Sequence, residues 1–156
     1  MSITRFNIRV YILLFDESRE SLLLSDEIVD GGFYTKFPGG GLEYGEGILD
    51  CLHREALEEF GQDVEVIRQF YTSENLVESR FVPGDQIICV YYECRLQPDQ
   101  NGRRLPRFRV ADQAYDFIEH REREESFRWR RLDEVVPKEM SFPLDQEVLA
   151  RLLEDR

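Results

Sequence analysis

Apolar residues alternate along residues 5–16. Ile8, Val10, Ile12 and Leu14 fall on one side of an extended chain, and Tyr11, Leu13 and Phe15 on the other. A strand that is apolar on both faces predicts a central position between two layers. Residues 16–20 read as a polar turn and 21–25 as a second short strand. Asp30-Gly31-Gly32 predicts a loop, and 34–37 a short strand ended by Pro38. The period then changes. Ile48, Cys51, Leu52, Ala56 and Phe60 recur at helical spacing and predict a helix over 48–60, with Gly47 as N-cap and Gly61 just past its end. Residues 64–73 and 86–95, rich in Val, Ile and Tyr, predict strands. Across 97–125 the pattern breaks. Pro98, Asn101-Gly102, Pro106 and a dense mixture of Arg, Asp and Glu predict an excursion of loop character, helical over part of 112–123. Residues 127–132 predict a return strand, and 144–153 a closing amphipathic helix. This order, β-β-β-α-β-β-insert-β-α, is mixed α/β without the regular alternation of a doubly wound sheet.

A chain of 156 residues fits one domain over 1–156, with 97–125 as a variable insert. Eleven Phe, seven Tyr and one Trp supply bulk for its core. No stretch approaches the ~20 apolar residues of a membrane helix, and Arg9 interrupts the first apolar run, so neither membrane insertion nor a secretory signal is expected. A net charge of −12 disfavours duplex DNA as a partner, although carboxylate-held cations reverse the sign locally. Among twenty basic residues only Lys36 and Lys138 are lysine, a bias read as compositional. Cys51, Cys89 and Cys94 form no C-x-x-C and lie in apolar runs. They read as core residues of a protein in the reducing cytoplasm, without a disulfide framework or zinc site.

The chemistry is concentrated between Gly39 and Gly61. Glu55, Glu58 and Glu59 stand at i, i+3 and i+4, on one face of the predicted helix. Carboxylates so spaced repel, and the helix dipole disfavours them in the last turn. A hard divalent cation, Mg²⁺ or Mn²⁺, offsets both effects. Alone, the triplet fits a solvated acidic face better than a metal site. Its surroundings decide. Gly40, Glu46, Arg54, Glu55, Ala56, Glu58, Glu59 and Gly61 fit the pattern G-x5-E-x7-R-E-U-x-E-E-x-G-U, where U is apolar. The sequence thereby resembles the Nudix hydrolases. Gln62 departs from the aliphatic residue usual at the last position, which touches packing rather than ligation, and Val64 is a candidate to fill that space. Phe37-Pro38-Gly39-Gly40-Gly41 resembles the usual lead-in, and Phe127 to Glu134 the family's late strand and turn.

The resemblance implies a Nudix-like α/β/α sandwich that hydrolyses a pyrophosphate bond in a nucleoside diphosphate linked to another moiety. It implies Mg²⁺ (or Mn²⁺) held by Glu55, Glu58, Glu59 and the carbonyl of Gly39, with Glu55 as ligand, general base or both. Glu46 and Arg54 would orient the cluster. A later acid, Glu124 or Glu125, is a candidate base. His53 reads as structural or exposed, and His120 as a surface residue. Substrate-binding residues stay unknown. Position 77 is Val where many ADP-ribose hydrolases have Pro. No Ser-Gln-Pro-Trp follows, and Glu78 and Ser79 stand where dinucleoside-polyphosphate hydrolases favour Tyr. Phe81, Tyr91 and Tyr92 offer base stacking or core packing. Arg103, Arg104, Arg107 and Arg109 offer a phosphate or RNA clamp, or a solvated loop. Three readings therefore stand: a small-nucleotide pyrophosphohydrolase, an RNA 5′-end pyrophosphohydrolase, and a nucleotide sensor without catalysis. The resemblance leaves a homodimer open.

Overall fold

The computed structural model of the chain describes residues 2–156. Its centre is β1 (Arg5–Phe15), as the two-sided alternation predicts. β1 pairs in parallel with β6 (Asp85–Leu96), from Arg5 opposite Asp85 to Phe15 opposite Arg95. On its other edge it meets β4 (Gly39–Gly41), antiparallel. β5 (Val64–Thr72) lies outside β6. A second group surrounds β2 (Ser21–Val29), which pairs antiparallel with β3 (Gly32–Lys36) and, along its whole length, with β7 (Arg123–Arg131). The two groups join at the β1–β2 turn, where Phe15 faces Leu22.

The faces of β1 separate two cores. Val10, Ile12 and Leu14 pack with Leu23 against Cys51, Leu52, Ala56 and Phe60 of α1 (Ile48–Phe60). Leu13 and Phe15 pack with Leu22, Leu24 and Tyr91 against Val148, Leu149 and Leu152 of α2 (Pro143–Glu154). The result is an α/β/α sandwich. Truncating a fully buried residue such as Leu52 or Leu149 removes ~2–5 kcal/mol. α1 ends at Gly61, whose left-handed backbone (φ 64°) lets its N–H donate to Leu57 O at 2.9 Å. No helix among the described residues is long and apolar enough to cross a membrane.

Three expectations are corrected. Residues 112–122 form no helix. Side chains, local and distant, take backbone amides of this stretch and of the residues before it. Asn101 and Arg103 N–H donate to Asp99, Arg104 N–H to Glu17, Arg107 N–H to Gln62 and Tyr115 N–H to Asp26. Satisfied in this way, the segment has no call on helical hydrogen bonds. β7 starts at Arg123 rather than 127, which puts Glu124 and Glu125 in a strand instead of a loop. β2 runs on to Val29, because β7 and β3 cover both its edges.

Candidate active site

The glycine-rich stretch is a strand, and the side chains it lacks explain its composition. A Cβ on Gly40 would lie 2.3 Å from Glu55 Oε1. One on Gly39, at φ +148°, would lie 2.2 Å from Val10 O. Bare backbone here lets β4 lie against β1 while the Glu55 carboxylate rests on β4.

Arg54 ties loop and helix together. Its Nε and Nη2 donate to the two oxygens of Glu46 at 3.0 and 2.6 Å, and Nη2 also donates to Gly41 O at 3.0 Å. Its Nη1 donates to Glu55 Oε1 at 2.9 Å and Glu58 Oε2 at 3.2 Å. The Arg54 fork, with Glu43 N–H, lowers the Glu46 carboxyl to about 2. Glu58 is the most exposed of the helix triplet, with its side chain 58% accessible.

A second set of charges faces the helix from the β2 group. Glu27 is opposite Glu125 across the β2–β7 pair, and Ser25 opposite Lys36 across β2–β3, so the three strands present these side chains together. Ser25 Oγ donates to Glu125 Oε2 at 2.7 Å, and Lys36 Nζ lies 3.1 Å from Glu27 Oε1. Burial lifts the Glu125 carboxyl to about 7. Burial, and then the charge of Glu125, lifts Glu59 well above the carboxylate range. Glu59 Oε2 is buried with no hydrogen-bond partner.

An orphaned, buried carboxylate oxygen beside a second buried carboxylate fits a hard cation with oxygen ligands. As the side chains stand, no three His, Cys, Asp or Glu among the described residues are arranged to hold a metal ion. Arg54 holds Glu46, Glu55 and Glu58 instead, and Lys36 holds Glu27. A bound ion would require Glu58, the exposed member, to turn inward from Arg54.

The structure thus gathers Glu46, Arg54, Glu55, Glu59 and Glu125 around one region, and adds Glu27 and Lys36, which sequence reasoning missed. Only the strand pairing reveals those two. Glu124 is not with them. It lies on the opposite face of β7 and accepts from the N–H groups of Ile118, Glu119 and Arg121 at 2.9, 3.1 and 3.0 Å. Those donors, Arg121 first, lower its pKa.

Other candidates fall away from the cluster. His53 bonds Asp63 at 2.7 Å, and His120 sits edge-on to Phe117. The aromatic trio is dispersed. Tyr91 is a core residue donating to Asp145 at 2.7 Å, Tyr92 packs against the α1 core, and Phe81 meets Tyr34 and Phe142. Three of the four clustered arginines are spent on ion pairs: Arg103 with Glu17, Arg104 with Glu65 and Arg109 with Asp116. Gln62, the departure from the motif, is buried and fastens the 97–122 segment to the end of α1. It donates to Leu105 O at 3.1 Å and accepts from Arg107 N–H at 2.8 Å, while Phe108 stacks on Phe60. An open cleft of about 570 Å³ lies on the side to which Thr35 and Arg128 point. Its arginines are paired, Arg128 with Asp26 and Arg130 with Glu134 and Glu139, so the unsatisfied chemistry stays with the glutamates.

A NUDIX domain profile matches residues 5–152. The chain belongs to the NUDIX domain family. It is 31% identical over 123 residues to an RNA pyrophosphohydrolase of Helicobacter pylori, covering 73% of this chain and 77% of that protein. Two solved structures share the fold. A MutT NUDIX hydrolase from Burkholderia pseudomallei superposes with a TM-score of 0.67 at 14% identity, over 96% of this chain and 99% of that one. A MutT protein from Methanosarcina mazei Go1 gives 0.67 at 17% identity, over 97% and 96%. The family and its pyrophosphohydrolase relatives make this chain a pyrophosphatase-type hydrolase.

Proposed function

We propose that the enzyme hydrolyses the pyrophosphate bond of a small nucleoside diphosphate derivative: a nucleotide sugar, ADP-ribose or a noncanonical nucleoside triphosphate. Its ion is Mg²⁺, with Mn²⁺ able to replace it. The buried, partnerless Oε2 of Glu59 beside Glu125 carries this reading. Glu55, Glu58, Glu59 and the Gly39 carbonyl would hold the ion. When bound, the metal neutralises the diphosphate and lowers the pKa of water. Glu46 and Arg54 keep the helix carboxylates at fixed orientation. Glu125, held by Ser25, would receive the proton of the attacking water. Three buried, unpaired cysteines support the reducing cytoplasm as its setting.

A second reading, removal of pyrophosphate from an RNA 5′ end, is favoured by the name of the Helicobacter relatives. The net charge of −12 and the ion-paired arginines weigh against it. The test is a substrate panel with Mg²⁺ and with Mn²⁺, read as phosphate release after phosphatase coupling. It spans nucleotide sugars, ADP-ribose, dinucleoside polyphosphates, nucleoside triphosphates and 5′-triphosphorylated RNA. A small-molecule product lost in Glu58→Gln and Glu59→Gln supports the proposal. Turnover of RNA alone supports the second reading. Metal-dependent nucleotide binding without product makes the protein a sensor and overturns both.

A further inference from the structure

Lys36 is the one lysine placed among the acids of this site. Its ammonium lies 3.1 Å from Glu27 and 5.8 Å from the centre of the Tyr11 ring. Its side chain is only 12% accessible. Burial works against its charge, yet Tyr11, Glu27, Glu59 and Glu125 together raise its pKa above the ordinary lysine range. Arg54, the other cation, is spent on Glu46, Glu55, Glu58 and Gly41 O, whereas Lys36 pairs with Glu27 and its charge favours the ionised forms of Glu59 and Glu125.

The two cations differ in kind. The guanidinium of Arg54 is a planar fork locked by several hydrogen bonds, whereas an ammonium on a four-carbon stem is a compact charge that relocates without breaking a bidentate geometry. Lys36 also stands three residues before Gly39, on the strand leading into β4. An ion near Gly39 and Glu59 would repel this ammonium strongly, and a diphosphate beside that ion would attract it.

We propose that Lys36 is a tethered counter-cation: it competes with the divalent ion for the Glu59–Glu125 side of the site, and its ammonium then turns to a non-bridging phosphate oxygen of the substrate. The inference rests on the proposed role of Glu59 in holding metal. Lys36 is a competitor in the absence of substrate and a contact in its presence, so removing it tightens metal and weakens substrate.

The experiment is Mn²⁺ titration followed by electron paramagnetic resonance, without substrate, on wild type, Lys36→Met, Lys36→Gln, Lys36→Arg and Glu59→Gln. Lys36→Met and Lys36→Gln tighten Mn²⁺ on the order of tenfold, and Lys36→Arg stays within about twofold of wild type. Steady-state kinetics at saturating metal then show KM raised on the order of tenfold in Lys36→Met, with a smaller change in kcat. Unchanged or weakened Mn²⁺ binding in both neutral variants overturns the competitor role. An unchanged KM overturns the phosphate contact. Mn²⁺ binding unaltered in Glu59→Gln overturns the metal-site reading itself, and is distinguishable because it does not involve Lys36.

Discussion

Glu59→Gln separates stability from function at one atom. Glu59 Oε2 is buried and accepts no hydrogen bond, and burial together with Glu125 makes its ionised form costly. An unsatisfied buried polar group costs ~1–3 kcal/mol, and more when charged. Glutamine keeps the shape, removes the charge and turns an acceptor into a donor facing Glu125 and Glu55. At ~2–4 °C per kcal/mol for a domain of this size, the variant melts ~2–12 °C higher than wild type in EDTA at about pH 8. The gain shrinks as pH falls, because burial and Glu125 raise the Glu59 pKa and the wild-type carboxyl loses its charge on protonation. Mg²⁺ raises the melting temperature of wild type but not of Glu59→Gln, because binding stabilises only a competent site. Turnover falls ~100-fold or more. Differential scanning calorimetry with and without Mg²⁺ reads the first three outcomes. A variant less stable than wild type in EDTA, or one still stabilised by Mg²⁺ to the same extent, refutes the reasoning.

Further predictions concern the frame around the site. In EDTA, stability declines as pH rises through 4.5–7 for Glu125 and 3.8–6 for Asp145, since burial raises both folded pKa values, to about 7 and about 6. Glu46, lowered to about 2, acts oppositely and only below 4.5. Melting temperature therefore peaks near about pH 4.5 and falls toward about pH 7; a steady climb over that range contradicts the burial of these acids. Gly40→Ala abolishes Mg²⁺-dependent turnover, because its Cβ would occupy the place of the Glu55 carboxylate; wild-type kcat/KM in that variant contradicts the placement. Gln62→Leu restores the usual apolar residue yet strands Leu105 O and Arg107 N–H, costing ~1–3 kcal/mol and raising amide exchange across 97–122. Glu125→Gln lowers kcat, whereas Glu124→Gln lowers the melting temperature with kcat kept, because Glu124 caps backbone amides on the other face of β7.

What the sequence disclosed was local in kind. The alternation around Val10–Phe15 reports two cores because side-chain period alone assigns faces in a strand, and the helix over 48–60 carries both its period and its stop at Gly61. The spacing of Glu46, Arg54, Glu55, Glu58 and Glu59 is informative because one helix and one loop place them all. Glu27 and Lys36 were not legible, since they meet only through the pairing of β2 with β3 and β7. For the same reason Glu124 and Glu125 could not be told apart until β7 put them on opposite faces. The loop character of 97–122 was legible, but the helix expected within it was not to be had, because side chains of Glu17, Asp26 and Gln62, all distant in sequence, hold amides of the segment. Gln62 shows that a break in a motif can mark a local contact: its amide holds Leu105 and Arg107 of the 97–122 segment.

Anomalous diffraction from crystals soaked in Mn²⁺ tests the central claim most directly. The account predicts a peak within bonding distance of Glu55 and Glu59 and beside the Gly39 carbonyl, with Glu58 turned inward and Lys36 moved off Glu27. A peak elsewhere on the acidic surface, or Arg54 still holding Glu58 and Lys36 still holding Glu27 at saturating Mn²⁺, would contradict it.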